Sequence, residues 1–179
     1  RLPYREGNTN PGRVLHGGVA ASLVSIASQA LARAALGSAS GPWHTAGVQV
    51  AYLAAAVGEE VTATARLLRR GRELCFVEVA VEAEDGKPVA RGLATIRGRF
   101  GAPDADLCRP WADGGGREPG PMGAHVGRTP FMGRLGISVE HMQGGRSRVA
   151  LPWRDANADE AGGVHEGAVL ALLDTTGAM

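Results

Sequence analysis

The chain has 179 residues, of which 44% are hydrophobic and 21% are charged, a composition typical of a globular protein. Its formal net charge of +1 provides no overall attraction to nucleic acid or to anionic membranes. Only two cysteines are present, Cys75 and Cys108, so we expect no disulfide framework and a cytoplasmic location. No apolar run reaches the roughly 18 residues of a membrane span, and we expect neither a membrane nor a nucleic-acid partner.

Residues 17–36 are predicted to form a long helix. Apolar side chains, beginning with Val19 and Leu23, recur there at helical spacing, and Gly37 follows as a C-terminal stop. Many of the residues between them are small, which indicates that the helix is closely packed on more than one side. The preceding segment, 1–8, is predicted to be the end of a strand.

Four strands are predicted after this helix, because apolar and polar side chains alternate there. Their cores lie at 48–52, 61–67, 75–81 and 90–96. Glycines stand in the turns that separate these strands, at Gly58, Gly71 and Gly86. Turns this short imply an antiparallel meander. The expected unit is therefore a strand, a long helix and four further strands.

The rest of the chain changes character at residues 101–130, where five prolines and three consecutive glycines predict a linker or an extended crossover. Strand-like patterning returns between Leu135 and Trp153, with a turn at Gly144–Gly145. A second helix is predicted to begin near Gly167.

One phrase occurs twice in the chain, 149 positions apart. The first copy is Leu2–Asn8 and the second is Leu151–Asn157, and the same offset relates His16 to His165. A fixed offset of this kind predicts a tandem duplication. The predicted parts are a first unit at 1–100 that lacks its first strand, a linker at 101–130, and at 131–179 the first strand and part of the helix of an incomplete second unit.

The motif Asn10–Gly18, an Asn followed after five residues by His-Gly-Gly, resembles the helix entry of the hotdog-fold thioesterases, in the phenylacetate-type acyl-CoA thioesterase branch. The strand at 45–53 also looks like the second strand of that family. The resemblance covers about residues 1–100 and again 134–179. It implies an α+β hotdog fold, in which an antiparallel sheet wraps round a long central helix. It also implies that two units pair edge to edge, with active sites at their interface.

A composite catalytic site follows from that resemblance. The family carries an Asp nine residues after the His, and it faces the helix N-terminus of the other unit. Ser25 stands at that position in the first unit, whereas Asp174 retains it in the second. Free N–H groups at a helix N-terminus can bind a thioester oxygen, and a carboxylate can activate water or attack directly; both routes stay open. The predicted catalytic residues are Asp174, Asn10, His16, Gly17 and Gly18.

The reciprocal pairing is predicted to be degenerate. Glu166 replaces the first glycine of the second motif, and its charge would repel a developing oxyanion. The residues of this second site are Ser25, His165, Glu166 and Gly167.

Three further residues are predicted to contact the substrate. Thr45 stands where relatives have a hydroxyl that helps to hold the thioester. Arg70 and Arg72 can bind the phosphates of CoA, because guanidinium groups pair bidentately with phosphate. No cluster of metal ligands has usable spacing, and no cofactor is expected.

Structural explanations stand beside these assignments. His16 can cap the helix, Gly17 and Gly18 can serve close packing, and Asp174 is favourable in the first turns of any helix. Ser25 can be purely structural, and the arginines can belong to a solvated turn.

Three functions are considered. The first is hydrolysis of an acyl-CoA thioester to the free acid and CoA, the second is non-catalytic binding of acyl-CoA, and the third is a hotdog hydratase. The third requires an Asp-His or Asn-His pair at a spacing that is absent here. We expect acyl-CoA as the ligand and a pseudo-dimer or homo-oligomer formed through sheet pairing. The acyl group remains open.

Overall fold

The computed structural model describes residues 1–37, 41–98, 116–143 and 146–177. Cys108, the first half of the predicted linker and the predicted turn at Gly144–Gly145 lie outside them. The helices and strands, in chain order, are α1 (Gly17–Leu36), β1 (Trp43–Tyr52), β2 (Val61–Arg70), β3 (Leu74–Ala83), β4 (Pro88–Gly98), α2 (Gly120–Arg128), α3 (Pro130–Leu135), β5 (Ser138–Gln143), β6 (Arg146–Ala150) and α4 (Glu166–Gly177).

The first unit is a four-stranded antiparallel sheet with α1 packed on one face. The strand order is β1-β4-β3-β2, and all three pairings are antiparallel, as the short turns predict. Alternate side chains of β3 and β4 point to the helix and are buried. The close approach is visible at Gly92, where a Cβ atom would lie 2.3 Å from Cγ1 of the buried Val24. These contacts confirm a helix on an antiparallel sheet, the α+β architecture expected.

Helix α1 begins and ends where the sequence predicts. His16 is its N-cap, and Gly37, with a φ of 87°, ends it in a conformation that favours glycine. By length and composition this 20-residue helix is apolar enough to cross a membrane, although no uninterrupted apolar run of that length exists. Its apolar character is explained by its position, since one face packs on the sheet and another packs on α4.

The prediction of a strand end at residues 1–8 is wrong for most of that segment. Leu2 makes one antiparallel bridge with Val61, and its N–H donates to the Val61 carbonyl at 2.9 Å. The chain turns instead into a 3-10 helix at Glu6–Asn8, which the Thr9 hydroxyl closes by donating to the Glu6 carbonyl at 2.7 Å.

The prediction of a linker at 101–130 is corrected for its last part, which forms helix α2. Pro121 is compatible with the first turn of a helix, where its missing N–H has no intrahelical partner in any case. Val126 is buried and joins a second apolar cluster with Phe131, Met132 and Val139. The glycines and prolines of this segment hide the helical spacing of its apolar residues, and the sequence pattern therefore did not predict α2.

The two parts of the chain meet through helices rather than through a shared sheet. Strands β5 and β6 form a separate two-stranded sheet, so edge-to-edge pairing is not seen within the described ranges. Helices α1 and α4 pack closely at two contacts, Gly18 against Ala171 and Ser22 against Gly167. The 149-residue offset exchanges these two contacts, so the helix pair is locally symmetric.

Candidate active site

His16 holds the entry of α1 in a defined shape. Its side-chain Nδ1 accepts a hydrogen bond from the N–H of Gly18 at 2.9 Å, and its backbone N–H donates to the Asn8 carbonyl at 3.0 Å. The ring is 6% exposed and lies 5.0 Å, between centroids, from that of Phe131. Burial lowers the pKa of His16, and the negative charge of Asp174 opposes that shift in part. The imidazole is thus kept neutral, as an acceptor at Nδ1 must be.

The cap determines which N–H groups of α1 can meet a ligand. His16 Nδ1 takes the Gly18 N–H, and the His16 carbonyl takes the N–H of Val19 at 2.9 Å. The first N–H groups of a helix have no intrahelical acceptor. Of the two predicted glycines, Gly17 is therefore the one whose N–H the His16 cap does not engage. Gly18 supports this geometry and the packing on α4.

Asp174 lies against Gly17, as the motif spacing predicts. A Cβ atom on Gly17 would be 2.9 Å from Asp174 Oδ2 and 3.2 Å from Oδ1. The carboxylate of α4 therefore faces the N-terminus of α1, where the helix dipole favours negative charge. A side chain at position 17 would fill the space between the two groups.

Tyr52, at the end of the edge strand β1, is the residue that the sequence argument missed. Its hydroxyl donates to Asp174 Oδ1 at 2.9 Å and lies 3.3 Å from the Gly17 carbonyl oxygen. Burial raises the pKa of Tyr52 strongly, and the hydrogen bond and charge of Asp174 raise it further. No signal in the motif pointed to it, because 35 residues separate Tyr52 from Gly17.

The reciprocal pairing places the N-terminus of α4 against Ser25 of α1, and the carboxylate and the small residue have exchanged positions. The hydroxyl of Ser25, which is 1% exposed, donates to Glu166 Oε2 at 2.9 Å. His165 caps its helix as His16 does, with Nδ1 accepting the Gly167 N–H at 3.0 Å. Here the carboxylate belongs to the helix N-terminus and the small residue to the facing helix. The Glu166 side chain occupies the space that Gly17 leaves open in the first pairing.

Asn10 lies in the turn before α1, half-buried, and its N–H donates to the Val14 carbonyl at 2.7 Å. The neighbouring Asn8 is more deeply buried. It accepts a hydrogen bond at Oδ1 from Arg134 of the second part, at 2.9 Å. This contact was not predicted, although Asn8 belongs to the repeated phrase. Its effect is to hold the loop that leads into the His16 cap.

Thr45, Arg70 and Arg72 are not brought together with Asp174. Thr45 precedes Tyr52 by seven residues on β1, a separation of roughly 23 Å along an extended strand. Its hydroxyl is buried and has no hydrogen-bond partner among the described residues. Arg70 donates from Nε to the Ala35 carbonyl at 3.0 Å, at the C-terminal end of α1.

Arg72 lines an open groove of about 700 Å³ near that same end, together with Arg69 and Phe76. The groove lies on the sheet face that points away from α1. Nothing in its position connects it to the pairing of Gly17 with Asp174, which is at the other end of the helix.

The comparisons with known proteins concern the family and the fold of the chain. The family model for the acyl-CoA thioesterase N-terminal domain matches residues 5–97. Acyl-coenzyme A thioesterase 13 of Mus musculus is 36% identical over 97 residues, which cover 52% of this chain and 67% of that protein.

Solved structures give the same result. A putative esterase from Mycobacterium tuberculosis is 29% identical with a TM-score of 0.51, over 57% of this chain and 82% of that one. A Bacillus halodurans protein solved with CoA has a TM-score of 0.52 and covers 54% of this chain and 64% of its own. At 24% identity, the latter supports the fold alone. The chain belongs to the acyl-CoA thioesterase family of the hotdog thioesterase superfamily.

Proposed function

We propose that this protein hydrolyses an acyl-CoA thioester to the free acid and CoA, at one composite site between α1 and α4. The observation that carries the proposal is the Asp174 carboxylate beside Gly17, at the N-terminus of a helix whose entry is shaped by His16. A helix N-terminus and an opposed carboxylate are the two parts that thioester hydrolysis needs.

The proposed reaction begins with the thioester carbonyl oxygen at the Gly17 N–H. In the general-base route, Asp174 takes a proton from water while the oxygen of that water adds to the carbonyl carbon. The negative charge that develops on the carbonyl oxygen is stabilised by the helix N-terminus. The C–S bond then breaks, and the CoA sulfur leaves with the proton that Asp174 returns.

The nucleophilic route differs in its first bond, which forms between a carboxylate oxygen of Asp174 and the carbonyl carbon. CoA leaves, and water hydrolyses the resulting anhydride. A single turnover in ¹⁸O-labelled water separates the routes. The nucleophilic route leaves the label in Asp174 when water attacks the aspartyl carbonyl, and the general-base route places it only in the acid product.

The substrate class is supported by the comparisons. The mouse relative is named an acyl-coenzyme A thioesterase. Arg70 and Arg72 stay proposed contacts of the CoA phosphates, whereas Thr45 lies too far along β1 from Tyr52 to hold a thioester at Gly17. Substitution of the arginines by Ala should raise KM without lowering kcat if they bind phosphate.

We further infer that the chain arose by tandem duplication within the phenylacetate-type branch, and that the second pairing no longer acts. The inference is supported by the repeated phrase at 2–8 and 151–157 and by the symmetric contacts of α1 with α4. At the second pairing, the buried bond between Ser25 and Glu166 leaves neither a free base nor space at the helix N-terminus.

The test is thiol release from short, medium, long and aromatic acyl-CoAs. Asp174→Asn should lower kcat by about 10²- to 10⁴-fold, because it removes the base but keeps the shape. Glu166→Gln is the matched control, since it changes the other carboxylate of the helix pair and should leave kcat within about twofold.

Full turnover in Asp174→Asn would exclude the catalytic role of this carboxylate. If the wild type releases no thiol but acyl-CoA raises its melting temperature, the protein binds acyl-CoA without hydrolysing it. The drift of the second pairing to Ser25 and Glu166 is the observation that would fit such a binding protein.

A further inference from the structure

Tyr52 joins three elements at one point. It stands at the end of β1, it contacts the first carbonyl of α1, and it donates to a carboxylate on α4. The ring is 50% exposed, so packing alone does not explain why a phenol stands at this position. The hydroxyl carries a single proton, and Asp174 Oδ1, at 2.9 Å, is the nearer of its two acceptors.

The two oxygens of Asp174 have different surroundings. Oδ1 receives the Tyr52 hydrogen bond. Oδ2 is the oxygen nearer to the Cβ position of Gly17, at 2.9 Å against 3.2 Å for Oδ1. One oxygen is thus held by the first unit, and the other faces the N-terminus of α1.

We propose that Tyr52 is the positioning residue of the site, which holds Oδ1 of Asp174 so that Oδ2 meets the thioester or its attacking water. The inference rests on the proposed thioesterase function. A short carboxylate side chain can rotate about two bonds, and a single misplaced rotamer would turn both oxygens away from the substrate. One hydrogen bond from a rigid aromatic side chain removes that freedom.

The chemistry of a phenol suits this task. Burial and the neighbouring carboxylate raise the pKa of Tyr52, so its hydroxyl stays protonated and donates throughout the neutral range. A donor also favours the ionised form of the carboxylate, which is the form that either route requires. The same contact ties the catalytic residue of α4 to the half of the chain that supplies the helix N-terminus.

A purely structural role makes different predictions. If Tyr52 only held the two halves together, its loss would lower the melting temperature, and the remaining folded protein would work normally. A positioning role changes kcat, with KM little changed, in protein that is fully folded.

The variant is Tyr52→Phe, which removes one oxygen and keeps the ring. Tyr4→Phe is the matched control, because Tyr4 is the other tyrosine of the chain and its hydroxyl accepts a hydrogen bond from Arg13 at 3.2 Å, away from Asp174. Tyr52→Phe should lower kcat by roughly tenfold to a hundredfold, the effect of losing a hydrogen bond to a charged group, with KM within about twofold.

The coupling sharpens the test. In an Asp174→Asn background, Tyr52→Phe should have no further effect. Wild-type kcat in folded Tyr52→Phe would overturn the proposal, as would a loss of activity that only follows a loss of folded protein.

A second measurement keeps the two proposals distinguishable. ¹³C NMR of the Asp carboxylates reads the hydrogen bond without turnover, and the chemical shift of the Asp174 carboxyl carbon at neutral pH should change in Tyr52→Phe and not in Tyr4→Phe. If that shift is seen but the wild type and Tyr4→Phe release no thiol, the positioning contact stands and the proposed hydrolysis is wrong. If the signal does not move, the positioning role is wrong whatever the activity.

Discussion

At the scale of single residues, the His16 ring is a neutral helix cap. Its Nδ1 closes the first turn of α1 through the Gly18 N–H, and its burial keeps the ring neutral. The structural explanation offered from the sequence, a capping His, is therefore confirmed. The proposed function depends on that same cap, because the His16 ring occupies the Gly18 N–H and does not engage the Gly17 N–H.

The cap predicts a pH dependence of stability. The pKa of His16 is lowered in the folded state by burial, so the unfolded chain binds a proton more readily. The stability that the neutral ring provides is fully present above about pH 6.5, and it is lost as the pH falls through the lowered folded pKa. His16→Asn keeps a side-chain acceptor at the N-cap and removes the titration. Urea unfolding between pH 5 and 8 should show a shallower loss at low pH in His16→Asn, and parallel curves would contradict the assignment.

At the scale of elements, the pairing of α1 with α4 depends on small residues. A Cβ atom at Gly18 would lie 2.7 Å from the Ala171 backbone, and one at Gly167 would lie 2.8 Å from Ser22 Oγ. Backbone atoms at such a distance cannot shift without a large cost in free energy. This close packing of α1 on α4 brings Asp174 to Gly17. The site therefore depends on the small residues between the two helices.

Gly18→Ala should therefore destabilise the protein by about 1–3 kcal/mol, through overpacking that exceeds the gain in helix propensity. Gly127→Ala is the matched control, because Gly127 is an exposed helical glycine with nothing within 4 Å of its Cβ position. That control should be neutral or stabilising by up to about 1 kcal/mol. Urea unfolding measures both.

A Gly18→Ala variant that is no less stable than the wild type would contradict the close contact of Gly18 with Ala171.

At the scale of the whole molecule, the chain carries two equivalent pairings with unequal contents. In one, a glycine faces Asp174; in the other, Glu166 faces Ser25 and binds it. In the second pairing the Glu166 side chain fills the space at the helix N-terminus. In the first pairing a glycine, Gly17, stands at that position and leaves the space open.

The asymmetry predicts one ligand per chain. Calorimetric titration with a non-hydrolysable thioether analogue of acyl-CoA should give a stoichiometry of one, because the Glu166 side chain fills the second pairing. Glu166→Gly empties that space and should add a second, weaker site, whereas Glu166→Gln keeps it filled and should not. Two equal sites in the wild type would contradict the asymmetry.

The order of the elements could be read from local pattern. Helix α1 appears with its predicted bounds, and the strand alternation of 48–96 appears as an antiparallel sheet, because periodicity and glycine turns are local signals that neighbouring residues decide. The position of Asp174 at the entry of α1 was implied by the resemblance to the hotdog thioesterases and not by local pattern, because the two lie on different helices far apart in the chain.

Tertiary structure alone decided the rest. Helix α2 forms within a stretch rich in glycine and proline because Val126 finds an apolar cluster to enter. Tyr52 meets Asp174, 122 residues away in the chain, through the packing of α4 on α1. Thr45 and Arg70, predicted near the substrate, lie toward the far end of α1 because an extended strand and a long helix carry them away from Gly17. Distance in the fold depends on how elements pack, and no spacing along the chain records it.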